Sequence, residues 1–122
     1  MKLRMVLATI LALTFNVSSH AAVCHIKEFN ALGTARGELA QVAREPAVAD
    51  SVTSDFSAGA VQSAPFNSQT TLVRLWCDVQ TSYVVGTNPV ATAANSPVSA
   101  GSPEFFAVLP GQNLKVSVHT NP

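Results

Sequence analysis

Over the C-terminal half of the chain, apolar side chains recur at every second residue, a spacing that a helix cannot use to bury one face. Between Thr70 and Val79, one face carries Val73, Leu75, Cys77 and Val79, and the other carries Leu72, Arg74, Trp76 and Asp78. Leu114, Val116 and Val118 alternate with Lys115, Ser117 and His119 in the same way. Alternation of this kind marks a strand with one buried face. Thr81 to Val85 adds the β-formers Tyr83, Val84 and Val85, and Phe105 to Val108 is a short apolar strand.

Turn chemistry punctuates these runs. In Leu109-Pro110-Gly111-Gln112, proline presets the second turn position and glycine tolerates positive φ at the third. That predicts a hairpin joining the last two strands. Gly86-Thr87-Asn88-Pro89 is a second turn. Weaker strand signals lie at Val23–Phe29, Glu38–Val42, Val48–Thr53 and Ala60–Phe66. Ala91–Pro103, rich in Ala, Ser, Gly and Pro, has no apolar period and reads as a loop. The best helical window, Ala31–Arg44, contains Gly33 and Gly37, each costing about 1 kcal/mol in a helix relative to alanine. Short strands at this spacing predict an all-β chain: a single antiparallel β-sandwich or jelly-roll-like domain over residues 22–122.

An apolar leader, residues 1–21, precedes that domain. Lys2 and Arg4 stand ahead of an apolar run from Met5 to Val17, followed by Ser18, Ser19, His20, Ala21 and Ala22. Ser19 and Ala21 suit the minus-three and minus-one positions of a secretory signal peptide, which places cleavage after Ala21. The run is shorter than the roughly 20 apolar residues that span a bilayer, so a stable membrane span is not expected. A retained anchor, and a start assigned too early with the protein beginning near Val23, are the competing explanations. Removing Lys2 and Arg4 leaves five basic against seven acidic groups, a net charge of −2. With no basic run to neutralise phosphates, nucleic acid is not an expected partner.

Cys24 and Cys77 are the two cysteines of the chain. Each has apolar neighbours two residues away, which puts both sulfurs on core faces. That suits a disulfide in an oxidising compartment and equally two buried thiols. Neither belongs to a CxxC or Cys/His cluster, so no metal and no cofactor are expected. His20 falls in the leader, and His25 and His119 alternate with apolar residues, on faces expected to meet solvent. The acids Glu28, Glu38, Glu45, Asp50, Asp55, Asp78 and Glu104 are scattered singly. Without a nucleophile and base at motif spacing, no catalytic residues are assigned and no enzyme is expected.

Trp76 is the residue that invites a functional reading. It shares a face with Arg74 and Asp78, opposite the apolar set of its strand. Trp and Arg are enriched at interface hot spots, so Arg74 and Trp76 are candidate partner contacts. Burial of Trp76 under the other sheet or the long loop is the competing reading. Phe105 and Phe106 point to opposite faces, one toward the core and one toward a loop or interface.

Several segments carry a family resemblance. Phe66-Asn67-Ser68-Gln69-Thr70-Thr71-Leu72-Val73-Arg74-Leu75-Trp76-Cys77-Asp78 leads to Gly86-Thr87-Asn88-Pro89-Val90-Ala91-Thr92, then to Gly101-Ser102-Pro103-Glu104-Phe105-Phe106-Ala107-Val108 and Pro110-Gly111. Cys24-His25-Ile26-Lys27-Glu28-Phe29 and Glu45-Pro46-Ala47 extend the likeness over most of residues 23–118. This order resembles small proteins encoded among the virion genes of tailed bacteriophages. The resemblance implies a compact, non-enzymatic β-sandwich that decorates or cements a capsid. The implied partners are the major capsid protein or other virion proteins, together with further copies of the chain in a homo-oligomer, and the implied location is the virion. Those relatives begin near the position of Val23, so the leader departs from their pattern. The alternative is a periplasmic or secreted β-sandwich that recognises a ligand or partner through loops around Ala91–Pro103.

Overall fold

A computed structural model describes residues 20–122; the leader before His20 lies outside the described residues. The strands are β1 (Cys24–Phe29), β2 (Leu32–Ala35), β3 (Glu38–Ala43), β4 (Ala49–Val52), β5 (Val61–Gln62), β6 (Leu72–Cys77), β7 (Thr81–Gly86), β8 (Ser96–Val98), β9 (Pro103–Ala107) and β10 (Lys115–Thr120). They form two four-stranded sheets, β4-β1-β6-β9 and β5-β10-β7-β8, and a separate β2–β3 hairpin, all antiparallel. The described residues form the all-β antiparallel sandwich that the alternation predicts. The pairs β7–β8, β6–β9 and β5–β10 nest like rungs of one long hairpin whose tip joins β7 to β8. Successive rungs fall in alternate sheets, which is jelly-roll winding.

The core lies between the sheets. Ile26, Val73, Leu75, Val116 and Val118 are at most 1% exposed, and Phe56, Phe66 and Val98 join them from loops and β8. Phe106 points inward and stacks on Tyr83 with centroids 5.4 Å apart. Phe105, its neighbour on the opposite face, is 51% exposed. One charged group also enters the interior. Glu28, 5% exposed, accepts the Thr70 hydroxyl at 2.5 Å and the Asn67 N–H at 2.7 Å, fixing the turn before β6. A buried carboxylate needs such donors to offset its lost hydration.

Cys24 and Cys77 face each other directly across β1 and β6 and are disulfide-bonded, with Cα atoms 4.1 Å apart. The local ladder explains the position. Both backbone polar groups of Cys24 are engaged by Thr53 on its other side: the Thr53 N–H donates to the Cys24 carbonyl, and the Cys24 N–H donates to the Thr53 side-chain hydroxyl. Toward β6 the pair is therefore non-hydrogen-bonded, the arrangement that brings opposite side chains closest.

The fold departs from the sequence reading in four places. The C-terminal turn forms, with Gly111 at φ 73°, but it joins different sheets: β9 pairs with β6, and β10 with β7 and β5. A Pro-Gly turn sets local direction only, and residues 108–114 are long enough to cross the roughly 10 Å between sheets. The expected loop Ala91–Pro103 contains β8, whose Pro97 is tolerated because β8 is an edge strand. In the window Ala31–Arg44, the strand signal at Glu38–Val42 becomes β3, and the unread β2 pairs with it in a hairpin closed by Arg36 and Gly37, both at positive φ as a two-residue primed turn requires.

The fourth departure is in β10. Ser117, on the polar side of the alternation, is fully buried, and His119 is half-buried rather than solvent-facing. The segment between β7 and β8 folds over this outer face. Ala91 N–H donates to the Ser117 hydroxyl, the Ser82 hydroxyl to the Ala93 carbonyl, and the Gln62 amide to Asn88 and the Pro89 carbonyl.

The disulfide closes a chain separation of 53 residues, for which the loop-entropy relation gives about 4 kcal/mol. Replacing both cysteines by alanine should lower the unfolding free energy by about that much in urea titrations at fixed pH. Unchanged stability would contradict the bridge.

Candidate functional site

The outer face of the β4-β1-β6-β9 sheet receives much less cover. Register places its side chains in rows: Val52, His25, Trp76 and Pro103; then Asp50, Lys27, Arg74 and Phe105; then Phe29, Leu72 and Ala107. The β2–β3 hairpin covers only the last row. Phe29 is buried there, whereas Trp76 and Arg74 are half-buried and Val52 is 54% exposed.

Two adjoining depressions mark the face. The larger, about 600 Å³, lies between hairpin and sheet, with Phe29, Leu32, Val42, Leu72 and Phe105 around Arg74 and Glu45. The smaller, about 260 Å³, is walled by His25, Lys27, Asp50, Arg74 and Trp76. Arg74 lines both.

The polar groups of the face differ in what they hold. Lys27 donates to Glu45 at 2.5 Å and lies 5.9 Å from the Phe29 ring centroid. That hydrogen bond is the largest influence on the Glu45 carboxyl; burial opposes it, and the Ala47 N–H with the Lys27 and Arg74 charges leaves the group below its ordinary range. Arg74 enters no ion pair among the described residues. His25 packs edge-on against Trp76 with centroids 5.4 Å apart. An unpaired guanidinium between an indole and an exposed phenyl ring suits a partner that brings a carboxylate flanked by apolar groups.

The two candidate contacts read from sequence, Arg74 and Trp76, thus lie on one outer face, where Trp76 is half-buried with Pro103 beside it and lines the smaller depression. The sequence reading did not place Lys27, Asp50, Val52, Phe105 or the hairpin on that face. Phe105 was recognisable from its alternation with Phe106; the rest depend on pairing between distant strands. Ala91–Pro103 is in large part packed on the other sheet. Elsewhere, Tyr83 donates to Glu104 at 3.4 Å, and burial, followed by the Glu104 charge, raises its hydroxyl above the ordinary tyrosine value. Among the described residues no group of three or more His, Cys, Asp or Glu is placed to hold a metal ion. No helix among them is long and apolar enough to cross a membrane.

The chain matches no protein-family profile, no curated protein and no solved structure.

The lowered Glu45 carboxyl has a pH consequence. A carboxyl whose folded value lies below its unfolded one contributes stability above the unfolded value and loses it as pH falls through the folded one. The Lys27–Glu45 contribution should therefore be present above about pH 4.5 and fade below it. Urea titrations from neutral to acid pH should show a shallower acid loss for Glu45→Gln than for wild type. Parallel curves would contradict the pairing.

Proposed function

We propose that the chain is a non-enzymatic structural protein that acts by seating the outer face of its β4-β1-β6-β9 sheet on another protein, and that this partner is the capsid lattice of a tailed-phage virion. One observation carries the reading: of the two outer sheet faces, one is sealed by residues 87–95, while the other exposes Val52 and Phe105 beside half-buried Trp76 and Arg74. Exposed apolar side chains grouped around an aromatic and an arginine are the composition of an interface centre. The sequence resemblance supplies the capsid as the partner, and a decoration role needs no turnover of substrate.

A second reading, an exported β-sandwich that binds a surface partner through the same face, is favoured by the Cys24–Cys77 disulfide. Such bonds persist in oxidising compartments.

Binding to purified capsid shells separates the two. The chain has a single tryptophan, Trp76, so its emission reports this face. On the capsid reading, shells shift the emission to the blue, and Arg74→Ala or Trp76→Ala weakens binding by roughly thirtyfold or more, as expected of a hot spot. Val90→Ser, exposed in the segment that covers the other sheet, should bind as wild type. No shift with shells, and absence of the chain from intact virions, would remove the capsid reading.

A further inference from the structure

The sequence boundary of the leader coincides with a step from exposed to buried residues. Ser19 and Ala21 place the cut after Ala21. In the structure His20 and Ala21 are exposed, whereas Ala22 is 3% exposed and belongs to the core. Its carbonyl accepts the Phe56 N–H at 3.0 Å. Its own N–H donates to Asp55 Oδ1 at 3.0 Å, and the next, that of Val23, donates to Asp78 Oδ1 at 2.9 Å. The nitrogen that a cut would convert to an ammonium therefore already lies against a carboxylate.

We infer that residues 1–21 are removed by hydrolysis of the Ala21–Ala22 peptide bond, and that Asp55 then holds the new α-ammonium of Ala22 in an ion pair that fastens the start of β1. The inference rests on the exported reading above. Water adds across the bond: the C–N bond breaks, Ala21 leaves with a carboxylate, and the Ala22 nitrogen takes up protons to become the ammonium. A signal-peptidase-type protease of the exporting membrane acts on the extended chain, before Ala22 is buried.

Two further features fit this arrangement. Asp55 also accepts the Ser57 N–H at 2.9 Å, so its carboxylate is oriented before the ammonium arrives. Ser57, through its backbone and then its hydroxyl, keeps the Asp55 carboxyl below the ordinary range, with Ala22 adding to the effect. Cleavage also removes His20, whose ring pairs with Asp78 Oδ2 at 2.9 Å. The cut thus gives up an imidazole contact at the surface and turns the existing Ala22 N–H bond to Asp55, at the edge of the core, into one between opposite full charges.

The test uses the full chain with its leader in a host that exports it. Intact mass and N-terminal sequencing of the folded product should give Ala22. A product retaining Met1, or starting elsewhere, overturns the processing step. The α-amine is then acylated with an amine-selective reagent at fixed pH. An opposite charge at this distance raises an amine's pKa by at least about one unit, so wild type should react roughly tenfold more slowly than Asp55→Asn. Equal rates overturn the ion pair while leaving processing intact. Should Asp55→Asn fail to fold, NMR titration of the wild-type α-amine decides: a value above the ordinary range of about 7.7–8.0 supports the pair, and an ordinary value overturns it.

Discussion

The structure depends on the pairing of β1 with β6. β1 is the first strand among the described residues, yet it lies in the interior of its sheet, between β4 and β6. Six residue pairs join it to β6, from Cys24 with Cys77 at one end to Phe29 with Leu72 at the other. The disulfide occupies the end where Cys24 has given its backbone bonds to Thr53, so a covalent link stands where the ladder toward β6 has none. At the other end Glu28 binds the turn that leads into β6. Both ends of β1 are thus tied to the chain around β6, and the inner faces of the two strands supply Ile26, Val73 and Leu75 to the core.

From that centre the two outer faces diverge. On the β5-β10-β7-β8 sheet, small polar side chains, Ser82 and Ser117, lie under residues 87–95 and bond their backbone. Serines suit this role because a covering loop brings N–H and C=O groups that must find partners. On the other sheet the corresponding positions carry Trp76, Arg74, Lys27 and His25, side chains too large to lie beneath a close-packed loop. The β2–β3 hairpin covers only the end marked by Phe29 and Leu72, and it leaves Val42 60% exposed on its own surface. The proposed binding role follows from this asymmetry.

Much of the fold was legible in the sequence because period-two patterns depend on local burial alone. β6 and β10 carry the alternation, and Val73, Leu75, Val116 and Val118 are the core residues it indicates. What was not legible depended on contacts between distant segments. The burial of Ser117 needs residues 87–95, and the sheet to which β10 belongs needs β7 and β5. β8 is three residues long and contains a proline, too little for any period to register. The candidate site follows the same rule. Arg74 and Trp76 stood out within one strand, but Lys27, Asp50 and Phe105 join them only through the register of β1, β4 and β9.

The most direct test of β1 and β6 as the organising pair is native-state hydrogen exchange, followed residue by residue. The β1 amides that bond to β6 should exchange only with global unfolding, at the rate of the slowest β6 and β10 amides, while the exposed β2–β3 hairpin exchanges by local opening. Exchange of the β1 amides as fast as those of the hairpin would show that the first strand is an accessory to the sandwich, and would contradict the account.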